Sequence, residues 1–438
     1  MSEKNASVLR TTTFGKECNM PQLHGFLRRE FKLNRRNYRA GLRRRVPLIW
    51  GPPGIGKTDV VKGFAEVEKD ADGVTIEAED RGYIVKHVPV GQFEEMGDIN
   101  GIPKEELDAK TKTFITKMCP PDWVPNKERD GKKVILLLDD INRADARIIK
   151  GTMQLIQDYG MTSWGLHEED YQIVCTANPE GGVNDVTPLD PAQISRFSHV
   201  TLKIDGRDGA VAWAKWADKN KVDKRAISFI LSQPEMLFTG RDRVNPRTWT
   251  QAFDILHDIP HAGPGQPLNK EQAEIMSMHV EACVDPDAAG TFLTFMTKGI
   301  MEMIEPEEIL NKLDEVWPKL RALSGRAEKD NEKEKQKAGR IDCLFAIFER
   351  LYLYIRSEEF QVKTTGDTKL STKQSLNLCK VLSGDLAGQD MRWGIARRLF
   401  WESEKTKAKM KEVMTLAKAQ DKSIANELTK MLADAVTT

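Results

Sequence analysis

The chain of 438 residues is long enough to bury more than one core and to form two or three domains. Its 66 Lys and Arg residues balance 66 Asp and Glu residues, so no net charge directs the protein to nucleic acid or to a membrane surface. No apolar run approaches the ~18 residues of a membrane span, and the sequence Met1-Ser2-Glu3-Lys4 lacks a signal-peptide core, which predicts a soluble cytoplasmic protein. The six cysteines are scattered without a C-x-x-C pair and show neither a zinc nor a disulfide pattern.

Residues 1–45 are predicted to form a helical segment that carries a basic tract. Nine Lys or Arg residues lie between Arg28 and Arg45, against the single acid Glu30. This density suits a nucleic-acid contact. It also suits the solvated face of a helix whose apolar side packs on a domain, and the lack of interleaved exposed aromatics favours this second interpretation. Some of these arginines could equally serve a subunit interface.

The most specific motif is Gly51-Pro-Pro-Gly-Ile-Gly-Lys-Thr58, which matches the phosphate-binding pattern G-x-x-x-x-G-K-[ST]. A buried strand is predicted before it and an amphipathic helix after it. The amides of such a loop and the positive end of the helix bind polyphosphate, while the Lys reaches the β- and γ-phosphates and the Thr hydroxyl lies on Mg²⁺. Eight residues therefore form the candidate ATP-binding loop: Gly51, Pro52, Pro53, Gly54, Ile55, Gly56, Lys57 and Thr58.

From residue 46 to about residue 205, short apolar runs alternate with helical patterns, which predicts an α/β domain with a parallel sheet flanked by helices. The runs predicted as buried strands are Val46–Trp50, Tyr83–Val90, Val134–Leu138 and Tyr171–Thr176. Strand patterns then fade, and helical periodicity continues through 206–323. A charged linker is predicted over 324–340, followed by a C-terminal helical region over 341–438.

The strand Val134–Leu138 ends in two acids, as a Walker B strand does. Asp139 would hold Mg²⁺, directly or through water, and Asp140 would polarise the attacking water. The alternative is an ordinary strand followed by a helix cap formed by Asp140 or Asn142. The two interpretations are compatible, but only the first explains the pairing of these acids with the phosphate-binding loop.

Four further motifs, taken in order, resemble those of AAA+ ATPases of the MoxR branch, which is grouped with midasin and the dynein-related ATPases. They are Asp139-Asp-Ile-Asn-Arg-Ala144, Cys175-Thr-Ala-Asn-Pro179, Ile194-Ser-Arg-Phe197 and Asn245-Pro-Arg-Thr-Trp249. The segments 97–103 and 120–125 are similar to the region between the second strand and Walker B in that branch. The resemblance covers roughly residues 46–260. It implies a P-loop AAA+ core followed by an α-helical lid and additional C-terminal helices.

The same resemblance implies roles for three more residues. Asn178 matches sensor 1, an amide that places the lytic water, and Arg247 resembles sensor 2, which reaches the phosphates from the lid. Arg196 matches the arginine finger, which acts on ATP bound by the neighbouring subunit. Each also has an ordinary alternative: an Asn in a turn, an Arg at the start of a helix, and an Arg in a surface salt bridge. A hairpin is expected over Tyr159–Tyr171. It could offer Trp164 as a substrate contact, but a simple exposed hairpin is favoured.

One position departs from the family pattern, in which Walker B motifs mostly end in Asp-Glu. Asp140 is one methylene shorter than Glu, which sets its carboxylate back by about 1.5 Å, and a misplacement of about 1 Å can cost about 10²-fold in rate. Hydrolysis would then be slow unless the local backbone compensates.

The function implied by the resemblance is that of a chaperone-like ATPase that binds and hydrolyses Mg-ATP and remodels a protein client. It would work as a homo-oligomeric ring, expected to be a hexamer, with a partner that contains a von Willebrand factor A domain. Two alternatives stay open: a nucleic-acid-directed NTPase motor, for which only the basic tract argues, and a slow nucleotide-gated assembly switch. Neither nucleic acid nor a membrane is an expected partner.

Overall fold

The structure is a computed structural model that describes residues 14–66, 76–180, 185–204, 206–240, 243–260, 268–298, 300, 303–325, 340–356, 370–383, 386 and 389–400. The predicted linker over 324–340 therefore lies almost entirely outside the described residues, as do the predicted helical patterns beyond residue 400. The chain divides into two compact units, Met1–Ile204 and Asp205–Thr438.

A six-stranded, fully parallel sheet organises the first unit. The described residues of this unit form eight strands: β1 (Lys16–Cys18), β2 (Val46–Trp50), β3 (Ile84–Pro89), β4 (Ile102–Leu107), β5 (Phe114–Cys119), β6 (Val134–Asp139), β7 (Tyr171–Ala177) and β8 (Phe197–Leu202). The order in the sheet is β1-β8-β2-β7-β6-β3, while β4 and β5 pair separately as an antiparallel hairpin. The three central strands β2, β7 and β6 are almost wholly buried, because both faces of a parallel sheet are covered.

Helices and short helical turns connect these strands. They are α1 (Met20–Arg39), α2 (Lys57–Glu66), α3 (Gly97–Asn100), α4 (Lys127–Asp130), α5 (Ala146–Asp158) and α6 (Pro191–Ile194). Helix α1 begins with a capping box in which the side chain of Asn19 accepts from the amide of Gln22. Along the chain, helix α5 follows the two acids at the end of β6 and precedes strand β7. Its buried apolar face includes Ile148, Leu155 and Ile156.

The N-terminal segment belongs to the sheet, which the sequence did not predict. Strand β1 pairs with β8 at the edge, and α1 packs with Leu23, Leu27 and Phe31 buried. The expectation of a solvated basic face is correct for Arg29 and other exposed cations of α1, but it is wrong for two arginines.

Those two arginines, Arg35 and Arg44, are buried. The guanidinium of Arg35 pairs with Asp80 and donates to the hydroxyl of Tyr83. The guanidinium of Arg44 stacks 3.7 Å from the ring centroid of Tyr159. Burial lowers the pKa of Arg44 below its ordinary value, although nearby tyrosines oppose this shift. Part of the basic tract is thus buried in the first unit, where it makes internal contacts rather than facing solvent.

In its described residues, the second unit consists of helices and connecting turns and contains no strand. Its helices are α7 (Gly206–Lys219), α8 (Lys224–Ser232), α9 (Pro246–Phe253), α10 (Lys270–Cys283), α11 (Pro286–Thr297), α12 (Pro306–Asn311), α13 (Leu313–Leu323), α14 (Ile341–Arg356), α15 (Thr372–Ser383) and α16 (Gln389–Phe400). An aromatic cluster lies in its core, where Trp249 stacks on Phe253 with ring centroids 5.1 Å apart and Phe229 packs against both.

The predicted fold class is confirmed: a parallel sheet flanked by helices is followed along the chain by many helices. All four predicted strands are present, to within one or two residues at their ends. None of the described helices has the length and apolar character needed to span a membrane.

Candidate nucleotide site at the carboxyl ends of β2, β7 and β6

The glycine-rich loop turns sharply between β2 and α2. Gly54 and Gly56 have φ values of 78° and 90°, a region that glycine adopts without a steric cost. The side chain of Lys57 is buried and curls back over this loop. Its Nζ donates to the carbonyl oxygens of Gly51 at 2.7 Å and Pro52 at 3.2 Å. The lysine thus holds the loop in shape while its ammonium group lies inside the turn.

Asp139, the last residue of β6 and the first of the two acids, accepts hydrogen bonds from three side chains. Its Oδ2 accepts from the Thr58 hydroxyl at 2.8 Å and from Nε2 of His87 at 2.8 Å. Its Oδ1 accepts from the Thr176 hydroxyl at 2.5 Å. Burial by itself would raise the pKa of Asp139, but these hydrogen bonds outweigh burial and hold the pKa below its ordinary value. The carboxylate is therefore ionised at neutral pH.

Asp140 has an unusual backbone. Its φ of 50° and ψ of 47° place it in the left-handed region, which Asp tolerates better than most residues. Its amide donates to Oγ1 of Thr176 at 2.8 Å, which fixes this turn to β7. The side chain remains about one-third exposed, with Nη1 of Arg143 at 4.0 Å from its Oδ2. The second acid therefore points into accessible space while its backbone is held.

Asn178 connects the loop to this acid. The residue is fully buried, its Oδ1 accepts from Nζ of Lys57 at 2.9 Å, and its Nδ2 donates to Oδ1 of Asp140 at 3.0 Å. The ammonium group can only donate and the carboxylate can only accept, so the two contacts fix the orientation of the amide. Asn142 holds the backbone of Asn178 in place, because its side chain bonds both the amide and the carbonyl of that residue.

These side chains meet because of the strand order. Strand β7 lies between β2 and β6, and all three strands run in the same direction. Their carboxyl ends therefore lie side by side, with Asn178 between the loop and the two acids. Of the predicted site residues, the structure brings together Lys57, Thr58, Asp139, Asp140 and Asn178.

Arg196 lies at the other end of the sheet. It directly precedes Phe197, which pairs with Val46 at the start of β2. Gly51 follows Val46 by five residues, a separation of about 16 Å along a strand. The guanidinium of Arg196 instead contacts Oε1 of Gln157 at 3.2 Å, near the end of α5. Within its own chain, Arg196 does not reach the loop.

Arg247 belongs to the second unit, where it is the second residue of α9 and is exposed. The side chain of Asn245 caps this helix by accepting from the amide of Thr248 at 3.2 Å. Its predicted role at the phosphates stays a prediction.

The hairpin expected over Tyr159–Tyr171 reduces to a single bridge between Gly160 and Gly165. Trp164 is half-buried rather than free: its Nε1 donates to the carbonyl of Asn100 at 3.1 Å, and its ring packs edge-on to Trp123. Trp123 in turn stacks on Phe93. These aromatic side chains attach the bridge to the base of the β4–β5 hairpin.

Sequence reasoning missed Thr176 and His87, and it named Asn142 only as an alternative helix cap, not as a partner of Asn178. Thr176 and Asn142 lie inside motifs that were recognised, so alternation along β7 and the residues after Asp140 could have singled them out. His87 lies on β3, about fifty residues before Asp139. No local pattern indicates its contact, because only the pairing of β3 with β6 brings the two together.

No protein-family model matches this sequence, and a comparison with curated proteins gives no significant match. Among solved structures, the chain is similar to C. elegans PCH-2, at 14% identity over 63% of this chain and 67% of that one, with a TM-score of 0.30. It is also similar to the Thermotoga maritima RuvB Holliday junction branch migration motor, at 15% identity over 78% and 90% of the two chains, with a TM-score of 0.30. For NtrX from Brucella abortus the values are 13% identity, 64% and 60% coverage, and a TM-score of 0.33.

Identities and TM-scores at this level do not assign a function. The strand order and the loop define, by themselves, an α/β protein with a P-loop motif at the carboxyl end of a central strand.

Proposed function

We propose that the protein is an AAA+ ATPase that binds Mg-ATP on the loop from Gly51 to Thr58 and hydrolyses it. One observation carries the proposal: Lys57, Asn178 and Asp140 form a continuous hydrogen-bonded chain, with the Thr58–Asp139 pair beside it. A strand-end Asn and two acids that served only as turn and cap residues would have no reason to converge on the lysine and threonine of the loop.

The loop would receive the phosphates. The helix α2 begins at Lys57, so its positive end and the amides of the loop face the position of an anion. Lys57 would exchange the carbonyl oxygens of Gly51 and Pro52 for phosphate oxygens, which are stronger acceptors because they are charged. Pro52, Pro53 and Ile55 complete the turn.

The residues also fit Mg²⁺, which prefers oxygen ligands. The Thr58 hydroxyl and the Asp139 carboxylate lie 2.8 Å apart and present oxygens to one place. The ion, when bound, would neutralise charge on the phosphates. Asp139 would then hold the ion or its water while continuing to accept from Thr58.

Asp140 is the proposed base for the attacking water. Its carboxylate is accessible and is oriented by the amide of Asn178, which fits the sensor 1 role. The left-handed backbone at Asp140 turns the shorter side chain towards Asn178, which supports compensation for the missing methylene. The second candidate is slow hydrolysis, and with it a nucleotide-gated assembly switch. The guanidinium of Arg143 lies near the Asp140 carboxylate and would compete with the attacking water for it.

We further propose a ring of subunits, as in the MoxR branch, with a hexamer as the expected form. The position of Arg196 supports a finger that acts only on a neighbour's nucleotide, since its own loop is out of reach. In this proposal residues 206–323 form the lid that carries Arg247. A protein client and a partner with a von Willebrand factor A domain complete the proposed function. A nucleic-acid-directed motor is less well supported, because buried arginines account for part of the basic tract.

Comparing Lys57→Ala with Lys62→Ala tests the nucleotide site. Lys62 lies on the same helix α2 and is exposed, so it controls for the loss of a cation nearby. We expect Lys57→Ala to weaken binding of a fluorescent ADP at least about tenfold, since a charged hydrogen bond contributes about 1.5–3 kcal/mol. Lys62→Ala should bind like the unaltered protein. Equal binding by both variants, or no binding by the unaltered protein, would refute the proposal.

A further inference from the structure

We propose that His87 is a positioning residue that holds the Asp139 carboxylate in the orientation needed to bind Mg²⁺; this inference rests on the proposed nucleotide site. His87 lies on the edge strand β3, which contains no residue of the phosphate-binding loop or of the Walker B motif. Its Nε2 lies 2.8 Å from Oδ2 of Asp139. Because an ionised carboxylate only accepts, Nε2 carries the proton in this contact.

The acceptor positions of Asp139 explain what this hydrogen bond does. A carboxylate offers about four lone-pair sites, two on each oxygen. On Oδ2, Thr58 and His87 occupy both sites, and on Oδ1, Thr176 occupies one. The remaining site is on Oδ1, so the carboxylate can turn only one lone pair towards a cation or a cation-bound water.

His87 and Thr58 act on the same oxygen from different elements. Thr58 is on α2 and is itself a predicted ligand, so its hydroxyl would serve the ion as well as Asp139 when Mg²⁺ binds, and its position depends on the ion. Thr176 holds the other oxygen from β7. Of the donors to Oδ2, His87 is the one with no predicted contact to the ion. It can therefore keep the carboxylate in one rotamer whether or not the ion is present.

The strand that carries His87 is fixed on its other side. Residues alternate between the two faces of a strand, so Lys86 projects away from His87. Its Nζ pairs with Asp130 at 3.2 Å and donates to the carbonyl of Asp122 at 3.1 Å. The register places His87 beside Leu137 and Pro89 beside Asp139. Although β3 is an edge strand, the contacts of Lys86 and the pairing with β6 thus hold it in place next to His87.

Partners that orient a metal-binding carboxylate typically contribute about 10–100-fold to metal affinity. Replacing His87 by Ala should therefore raise the Mg²⁺ concentration that half-saturates Mg²⁺-dependent ADP binding about tenfold. The affinity for ADP in EDTA should stay unchanged, because the loop and Lys57 are not touched. His87→Gln keeps an amide N–H at the end of a side chain of similar reach. Its half-saturating Mg²⁺ concentration should therefore lie within about threefold of that of the unaltered protein.

The experiment titrates Mg²⁺ into the full chain with fluorescent ADP and repeats the measurement of ADP affinity in EDTA. His87→Phe serves beside His87→Ala, because it fills the space without donating a hydrogen bond. Ile84→Ala is the matched control, since Ile84 lies on the same edge strand and is exposed. Thermal unfolding without nucleotide shows that each variant is folded.

The inference would be overturned if His87→Ala and His87→Phe reached half-saturation at the same Mg²⁺ concentration as the unaltered protein. An equal loss of affinity with and without Mg²⁺, or a Gln variant as weak as the Ala variant, would overturn it too. None of these results affects the proposed nucleotide site, which fails if the unaltered protein does not bind ADP or if Lys57→Ala binds it as well as Lys62→Ala does.

Discussion

At the scale of single residues, the chemistry depends on how few conformations each polar side chain can adopt. Asn178 is fixed at both ends of its amide, by Lys57 and by Asp140. Asp140 has a left-handed backbone, which costs a non-glycine residue about 1–3 kcal/mol and persists only where the surroundings enforce it. Thr176 enforces it here by accepting from the amide of Asp140.

Asp140→Asn should keep nucleotide affinity and lose turnover. The amide is nearly the same size and tolerates the left-handed backbone, but it cannot act as a base, and general-base catalysis contributes about 10²–10⁴-fold. Steady-state phosphate release measures the loss, with ADP binding as the check on the fold. Asp158→Asn, an exposed acid at the end of α5, is the control. Turnover equal to that of the unaltered protein would remove the role assigned to Asp140.

At the scale of elements, the connection between α1 and β2 is hydrogen-bonded to the segment before β7 and to the first residue of β7. The guanidinium of Arg44 donates to the carbonyl oxygens of Leu166, Glu168 and Tyr171 and stacks on Tyr159. This contact holds the start of β2, the strand that ends in the phosphate-binding loop. Part of a tract that is basic in sequence therefore supports the sheet.

Arg44→Met should destabilise the first unit, while Arg43→Met should not. Met keeps much of the volume of Arg44 but leaves buried carbonyl oxygens without their donor, and each such oxygen costs about 1–3 kcal/mol. We expect the free energy of unfolding in urea to fall by about 3 kcal/mol. Arg43 is exposed, so its variant should stay within about 0.5 kcal/mol of the unaltered protein. Similar losses in both variants would contradict the internal role of Arg44.

At the scale of the whole molecule, the sheet separates two parts of the proposed active site. The loop lies at the carboxyl ends of the strands, and Arg196 lies at the amino end of β8, about 16 Å away along β2. An arginine at that position can stabilise the charge of a transferred phosphoryl group only if another subunit presents the nucleotide. Oligomerisation would then be a requirement of catalysis.

Mixing two inactive variants tests this requirement. Lys57→Ala should lack turnover because it binds nucleotide weakly and has no cation at the β- and γ-phosphates, and Arg196→Ala should bind ATP but turn over about 10³-fold or more slowly. In an equimolar mixed ring, about a quarter of the sites combine an intact Lys57 with an intact Arg196 from the neighbour, so turnover should return to about that fraction. A mixture as inactive as its components, once exchange of subunits is shown, would argue against a shared site.

Short-range patterns in the sequence determined much of this protein. The strand Val46–Trp50, the loop after it and the acids after Val134–Leu138 could be predicted because buried strands are continuous apolar runs and the loop needs glycines and lysine at set spacings. The strand β8 was not predicted, since Ser198, His199 and Thr201 interrupt its apolar pattern. The exposed hairpin β4–β5 was missed because it has almost no buried side to produce a pattern.

Only the tertiary structure decided which side chains meet. Pairing of β3 with β6 brings His87 to Asp139, and the position of β7 between β2 and β6 brings Asn178 between Lys57 and Asp140. The same sheet places Arg196 away from its own loop, and packing turns Arg44 inward while leaving Arg43 exposed. Such contacts join residues far apart in the chain, and their free energy depends on the order and register of strands, which no local spacing of residues encodes.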